Sequence, residues 1–110
     1  MANEIHVLTP GSKLDVTNAG QFRRQVSDLV LSKPKVLLID LKNVTFMDSS
    51  GLGALVSALK TVRANGGEMA LASIGENVQM LFDLTSMGKI FKIYHDRAAF
   101  ESQFGSILEQ

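Results

Sequence analysis

A carboxylate, two hydroxyls and a pair of glycines fall within six residues, Asp48-Ser49-Ser50-Gly51-Leu52-Gly53, where an apolar extended stretch gives way to an apolar helical pattern. Two kinds of chemistry suit such a junction. Asp and Ser accept hydrogen bonds from the backbone N–H groups that the first turn of a helix leaves unpaired, so the segment reads as an ordinary cap. A hydroxyl at the same place can also be modified. A phosphate carries about −1.5 to −2 charges and would sit against those N–H groups and the positive end of the helix dipole, which tolerates an anion. Asp48 beside it would make the patch strongly negative and expel a partner that docks with an acidic or apolar face, so modification would switch binding rather than folding. Ser49 and Ser50 share nearly the same sequence environment, and either is a candidate acceptor.

Other chemistries fit less well. Gly51 and Gly53 begin a G-x-G-x-x-G pattern, but its third position is Val56, and no G-x-x-x-x-G-K-[ST] run exists in the chain. A serine hydrolase needs a G-x-S-x-G elbow and a histidine base, and neither serine sits in that frame. The histidines, His6 and His95, fall on the first predicted strand and after the last one, and with the scattered carboxylates they form no metal-ligand spacing. No catalytic residue, metal or cofactor is expected, and the chain reads as a binding module rather than an enzyme. Phe46, Met47, Leu52 and Leu55 are expected in the core, with at most Leu52 contributing to a partner face. Leu84 and Met87 are expected to pack at a helix end, a small exposed apolar patch being the alternative.

Eleven basic residues balance eleven acidic ones among 110, mixed along the chain, so the basic face of a nucleic-acid binder is missing. With no cysteine there is neither a disulfide framework nor a thiolate metal site, and a reducing cytoplasm is the expected home. The first ten residues lack the charged and apolar regions of a secretory signal, and no run reaches the roughly 20 apolar residues of a membrane span. A single domain over residues 1–110 is expected, long enough to bury roughly two-thirds of its unfolded surface.

The elements that must position the Asp48 segment read as alternating strands and helices. Glu4 to Thr9 alternates as a strand and Pro10-Gly11-Ser12 breaks it. Thr17 or Asn18 then caps a helix to about Leu31, with Phe22, Val26, Leu29 and Val30 on one face. Val36 to Asp40 is continuously apolar up to its terminal acid, the pattern of a strand covered on both faces, and is the candidate centre of a parallel sheet. Val44 to Met47 approaches the helix that carries Leu52, Leu55, Val56, Leu59 and Val62, which Asn65-Gly66-Gly67 stops. Glu68 to Ser73 is a strand. The helix from Glu76 turns Val78, Leu81, Phe82 and Thr85 inward, Lys89 to Tyr94 is a strand, and Asp96 caps a last helix with Ala99, Phe100 and Phe104. This order makes an α/β fold with right-handed crossovers, in which partners meet the carboxyl ends of the strands. Gly51 and Gly53 are expected to let the helix start approach the sheet closely.

The strand-D-S-S-G-L-G-helix segment, the N-G-G after that helix and the later L-F-D-L-T-S-M closely resemble the STAS domain family, and within it the bacterial anti-sigma factor antagonists, over about Ile5 to Phe104. The resemblance implies a mixed, mostly parallel sheet of four or five strands with about four helices. It implies a module that competes with a sigma factor for an anti-sigma factor, itself an ATP-dependent serine kinase of the histidine-kinase-like ATPase fold. It makes Ser49, directly after the aspartate, the phosphoacceptor, with a PP2C-type phosphatase removing the phosphate. Asp48 then positions the acceptor, while Ser50, Gly51, Leu52 and Gly53 shape the docking turn. Asp15, in Lys13-Leu14-Asp15, matches the family's L-D element beside the acceptor loop; a cap for the helix near Thr17 is its other reading. The family also includes scaffold subunits of signalling assemblies and regulatory tails of anion transporters, so an output other than sigma release is the alternative. Two departures stand out. Only Met1 to Glu4 come before Ile5, so one sheet edge is expected to be missing or differently paired. Gly11 to Asp15 holds one residue more than the family's G-x-L-D, so that loop is expected to differ in shape.

Overall fold

A computed structural model describes residues 5–108, with side chains through residue 103. The elements are β1 (Ile5–Leu8), β2 (Lys13–Leu14), α1 (Ala19–Leu29), β3 (Val36–Asp40), β4 (Phe46–Met47), α2 (Ser49–Ala64), β5 (Glu68–Ala72), α3 (Glu76–Thr85), β6 (Lys92–Tyr94) and α4 (Arg97–Leu108). Short 3-10 turns lie at Val30–Ser32 and Met87–Ile90. Four strands form one sheet in the order β1-β3-β5-β6, and β2 pairs with β4 in a separate two-stranded ribbon. Every pairing among the described strands is parallel, so the antiparallel component of the expected mixed sheet does not occur there. On the described residues β1 is an edge strand of that sheet.

The two faces of β3 and β5 explain the layers. Leu37, Ile39, Met69 and Leu71 join the core with Phe22 and Val26 of α1, Leu55, Leu59 and Val62 of α2, and Val78 and Phe82 of α3. Val36, Leu38, Ala70 and Ala72 face the other way and meet Phe100 of α4, where the alanines leave room for its ring. All five residues of β3 are buried, as its unbroken apolar reading predicts for a strand covered on both sides. Leu37, Leu38 and Ile39 have no exposed surface, and burying side chains of this size stabilises the fold by about 1.5–3 kcal/mol each.

Helix boundaries follow local chemistry. Asp96 Oδ1 accepts the Ala99 N–H at 2.8 Å, the expected cap of α4. Gly66 takes φ +84 just past α2, a backbone conformation that a side chain disfavours.

Several expectations are corrected. Phe46 is 53% exposed, because β4 has two residues and only its Met47 can turn inward. Leu84 is 82% exposed on α3, while Met87 packs against the core as expected of a helix-end residue. Thr85 is exposed and its hydroxyl donates to the Leu81 carbonyl, leaving Val78 and Phe82 as the buried residues of α3. Met87–Ile90 is a 3-10 turn, so the last strand starts only at Lys92. Glu4 lies outside the described residues and Phe104 outside those whose side chains are described.

Candidate functional site

The backbone of Asp48 is extended where it enters α2, and its carboxylate joins two parts of the chain. Oδ1 accepts the Gly51 N–H at 3.0 Å, satisfying one donor of the first helical turn. Oδ2 accepts the Val16 N–H at 3.2 Å, from the loop between β2 and α1. The ordinary-cap reading of Asp48 is therefore correct, and the same side chain also ties the Asp15 loop to the start of α2. Asp48→Ala is expected to destabilise the fold by about 1–2 kcal/mol, above a plain cap deletion in the lower half of that range, because it frees both contacts. Urea denaturation of the two proteins checks this.

Behind Asp48 the β2–β4 ribbon fixes where the helix begins. Lys13 pairs with Phe46 and Leu14 with Met47, and the Ser12 carbonyl accepts both the Thr45 N–H at 2.8 Å and the Thr45 hydroxyl at 3.1 Å. Leu14 and Met47 point into the core, which locks the ribbon against α2. Gly51 is buried here. A Cβ on it would lie 2.0 Å from the Leu14 carbonyl oxygen and 2.7 Å from its carbonyl carbon, so only glycine fits.

The two serines differ in a way that sequence alone left open. Ser49 is exposed and Ser50 half-buried. Among the described residues the Ser49 and Ser50 amides have no hydrogen-bond partner, whereas the next two, of Gly51 and Leu52, are bonded to the Asp48 side chain and carbonyl. An anion on the Ser49 side chain would find two free N–H groups and the positive end of a 16-residue helix.

Leu52 is 4% exposed and packs in the core, so it shapes the turn from beneath and offers nothing to a partner. Gly53 is exposed, and a Cβ there would meet nothing within 4 Å, so the expected close approach to the sheet belongs to Gly51 alone. Gly53→Ala is expected to stabilise the fold by about 0.5–1 kcal/mol, through the entropy that a mid-helix glycine loses, and to raise the thermal midpoint.

Asp15 is 9% exposed. Its Oδ1 accepts the Thr17 hydroxyl and the Thr17 N–H, its own N–H donates to Asn18 Oδ1 at 2.9 Å, and its carbonyl accepts the Ala19 N–H at 2.8 Å. Asp15 builds the turn that starts α1, and through the Val16 amide that turn reaches Asp48 at the start of α2. The Thr17 hydroxyl holds the Asp15 carboxyl below its ordinary value. Burial opposes this, and the Thr17 N–H, the Lys13 ammonium 3.9 Å away and the Asn18 N–H add to it. A carboxyl that ionises more readily folded than unfolded contributes stability in full above about pH 4, and loses it as pH falls through the folded value. Asp15→Asn should flatten the loss of thermal stability as pH falls below about 4, measured by circular dichroism.

Sequence reasoning missed Val16, and its reading of Asn18 as a side-chain cap of α1 is corrected. Val16 contributes a backbone N–H, which any residue but proline supplies. Asn18 makes no side-chain cap to α1; instead it binds back to the Lys13 carbonyl at 2.9 Å and to the Asp15 N–H. The spacing Asp15-x-x-Asn18, typical of side chains that fold a turn onto itself, was the signal available. Among the described residues there is no group of three or more His, Asp or Glu placed to hold a metal, and no helix long and apolar enough to cross a membrane.

An α/β module that presents an exposed hydroxyl at a rigidly anchored helix start is the class of protein that this fold and site define. The sequence model of the STAS domain family matches residues 2–99, and the chain belongs to that family. It is 42% identical over 83 residues to the anti-sigma F factor antagonist of Paenibacillus polymyxa, covering 74% of this chain and 71% of that one. It is 36% identical over 91 residues to the anti-sigma-B factor antagonist of Bacillus subtilis strain 168, covering 83% and 82%. The crystal structure of TM1081 from Thermotoga maritima superposes with a TM-score of 0.82 at 30% identity, covering 90% of this chain and 86% of that one.

Proposed function

We propose that this protein is an anti-sigma factor antagonist switched by phosphorylation of Ser49. The observation that carries the reading is the exposed Ser49 hydroxyl, held at the start of α2 by a carboxylate bound on both oxygens and followed by a glycine that no other residue can replace. The names of the two bacterial relatives support the antagonist role. Unphosphorylated, the chain binds an anti-sigma factor and frees a sigma factor; phosphorylated, it lets go. The partner is a serine kinase of the histidine-kinase-like ATPase fold, and a PP2C-type phosphatase restores the binding form. Asp48 and Asp15 fix the acceptor segment, Gly51 and Leu52 set its path from inside, and Ser50 and Gly53 flank it on the surface. The chain itself catalyses nothing on this reading, and it works in the cytoplasm, where transcription is controlled.

Reconstitution tests this. The purified chain, added to a complex of the organism's sigma factor with its anti-sigma kinase, should displace the sigma factor without ATP, and ATP should reverse the displacement. Failure to displace at any excess of the chain would overturn the proposal.

A further inference from the structure

A cavity of about 230 Å³ opens between the carboxyl end of β1 and the first turns of α1. Leu14 and Phe22, both buried, form its floor. Thr9, Pro10 and Gly11 line it from the loop after β1, and Asn18, Gln21 and Gln25 from the start of α1. It lies outside the carboxyl end of a parallel strand, where ligands of open α/β sheets bind.

We propose that this cavity binds a small uncharged molecule bearing a carboxamide on an apolar body. The lining contains no Lys, Arg, His, Asp or Glu, so a charged ligand would lose water there without gaining a countercharge. Gln21 and Gln25 stand one helical turn apart and have no partner among the described residues, so each offers a donor and an acceptor. Asn18 spends one N–H on the Lys13 carbonyl and accepts the Asp15 N–H, which leaves a second N–H and a second lone pair for a ligand. A ligand carboxamide returns the same donor–acceptor pair, and its apolar body covers Leu14 and Phe22. For scale, a cavity of roughly 150 Å³ takes a benzene ring, so this one takes a ring with one further group.

The site is joined to the acceptor segment. Asn18 holds both ends of the Lys13–Asp15 turn, and the next residue, Val16, is bonded to Asp48. Occupancy is therefore read at Asp48, the residue that caps α2.

The test is a titration of the ¹⁵N-labelled full chain followed by amide NMR, with benzamide as the probe and benzoate as its charged isostere. Benzamide should give saturable shifts at Thr9, Gly11, Asn18 and the Gln21 and Gln25 side-chain amides with Kd of about 1 mM or tighter. Val16 and Gly51 should shift with the same midpoint, and benzoate should bind at least tenfold more weakly. Gln21→Ala with Gln25→Ala, both exposed and outside the core, should weaken benzamide at least fivefold without moving the thermal midpoint. No saturable shift, equal binding of benzoate, or a double variant that binds as well as the parent each overturns the proposal. The experiment uses neither kinase nor phosphate, so its failure leaves the Ser49 switch standing, and failure of that switch leaves the cavity untouched.

Discussion

Gly51→Ala is expected to cost about 3 kcal/mol or more and to lower the melting temperature by roughly 10–20 °C. The reason is the 2.0 Å separation that its Cβ would have from the Leu14 carbonyl oxygen. The clash is with backbone, so no rotamer change relieves it. Two movements could. If the Lys13–Leu14 strand lifts away, its pairing with Phe46 and Met47 is lost and Leu14, 1% exposed, leaves the core. If the helix start moves instead, the Asp48–Gly51 and Asp48–Val16 bonds cannot both survive. Either way the Asp48–Gly53 segment is displaced, so on the proposed function the variant should lose partner binding as well as stability. Gly53→Ala, two residues on and opening into empty space, is the internal control with the opposite sign. A Gly51→Ala protein within about 1 kcal/mol of the parent in urea denaturation would mean that the helix start is not wedged against Leu14.

The second large effect is functional. Ser49→Ala should bind the anti-sigma partner as the parent does and should resist phosphorylation. Ser49→Glu should bind at least tenfold more weakly, about 1.4 kcal/mol, and the phosphorylated protein more weakly still, since phosphate brings about −1.5 to −2 charges against one for glutamate. Neither substitution should change stability by more than about 1 kcal/mol. Ser49 is exposed at the first position of α2 and takes no part in capping, which Asp48 performs. An anion there is tolerated by the free Ser49 and Ser50 amides and the helix dipole, so the fold persists while the surface beside Asp48 turns strongly negative. Calorimetric titration of the three proteins into the kinase separates the outcomes. Equal affinity of all three would remove Ser49 from the interface, and a large loss of melting temperature in both variants would make it a structural residue.

Much of this architecture could be read from residue order. Val36 to Asp40 announced a doubly covered strand because burial on both faces removes alternation, and Asp48 and Asp96 announced helix starts because their carboxylates answer a need present at every helix start. What escaped depends on contacts between segments distant in sequence. Phe46 was expected inside, but a two-residue strand has too short a period to show which residue faces out; only its pairing with Lys13 and Leu14 decides. Leu84 fits a helix-end packing pattern, yet it stays 82% exposed. The two glycines look alike in sequence, and only the position of the Leu14 carbonyl tells the indispensable Gly51 from the free Gly53. In the site, the Asp48 segment and Asp15 were legible as separate features, but the Val16 N–H that joins them was not, because a backbone donor carries no side-chain signature.

The most direct test of the switch is peptide mass spectrometry of the protein purified from its own cells, before and after stress, with any phosphate mapped to a residue. The account predicts phosphate on Ser49, with an occupancy that changes with stress and with none on Ser50. Ser49 unmodified under every condition, or phosphate confined to Ser50, would contradict it and leave Asp48 to Gly53 as the capped start of a helix.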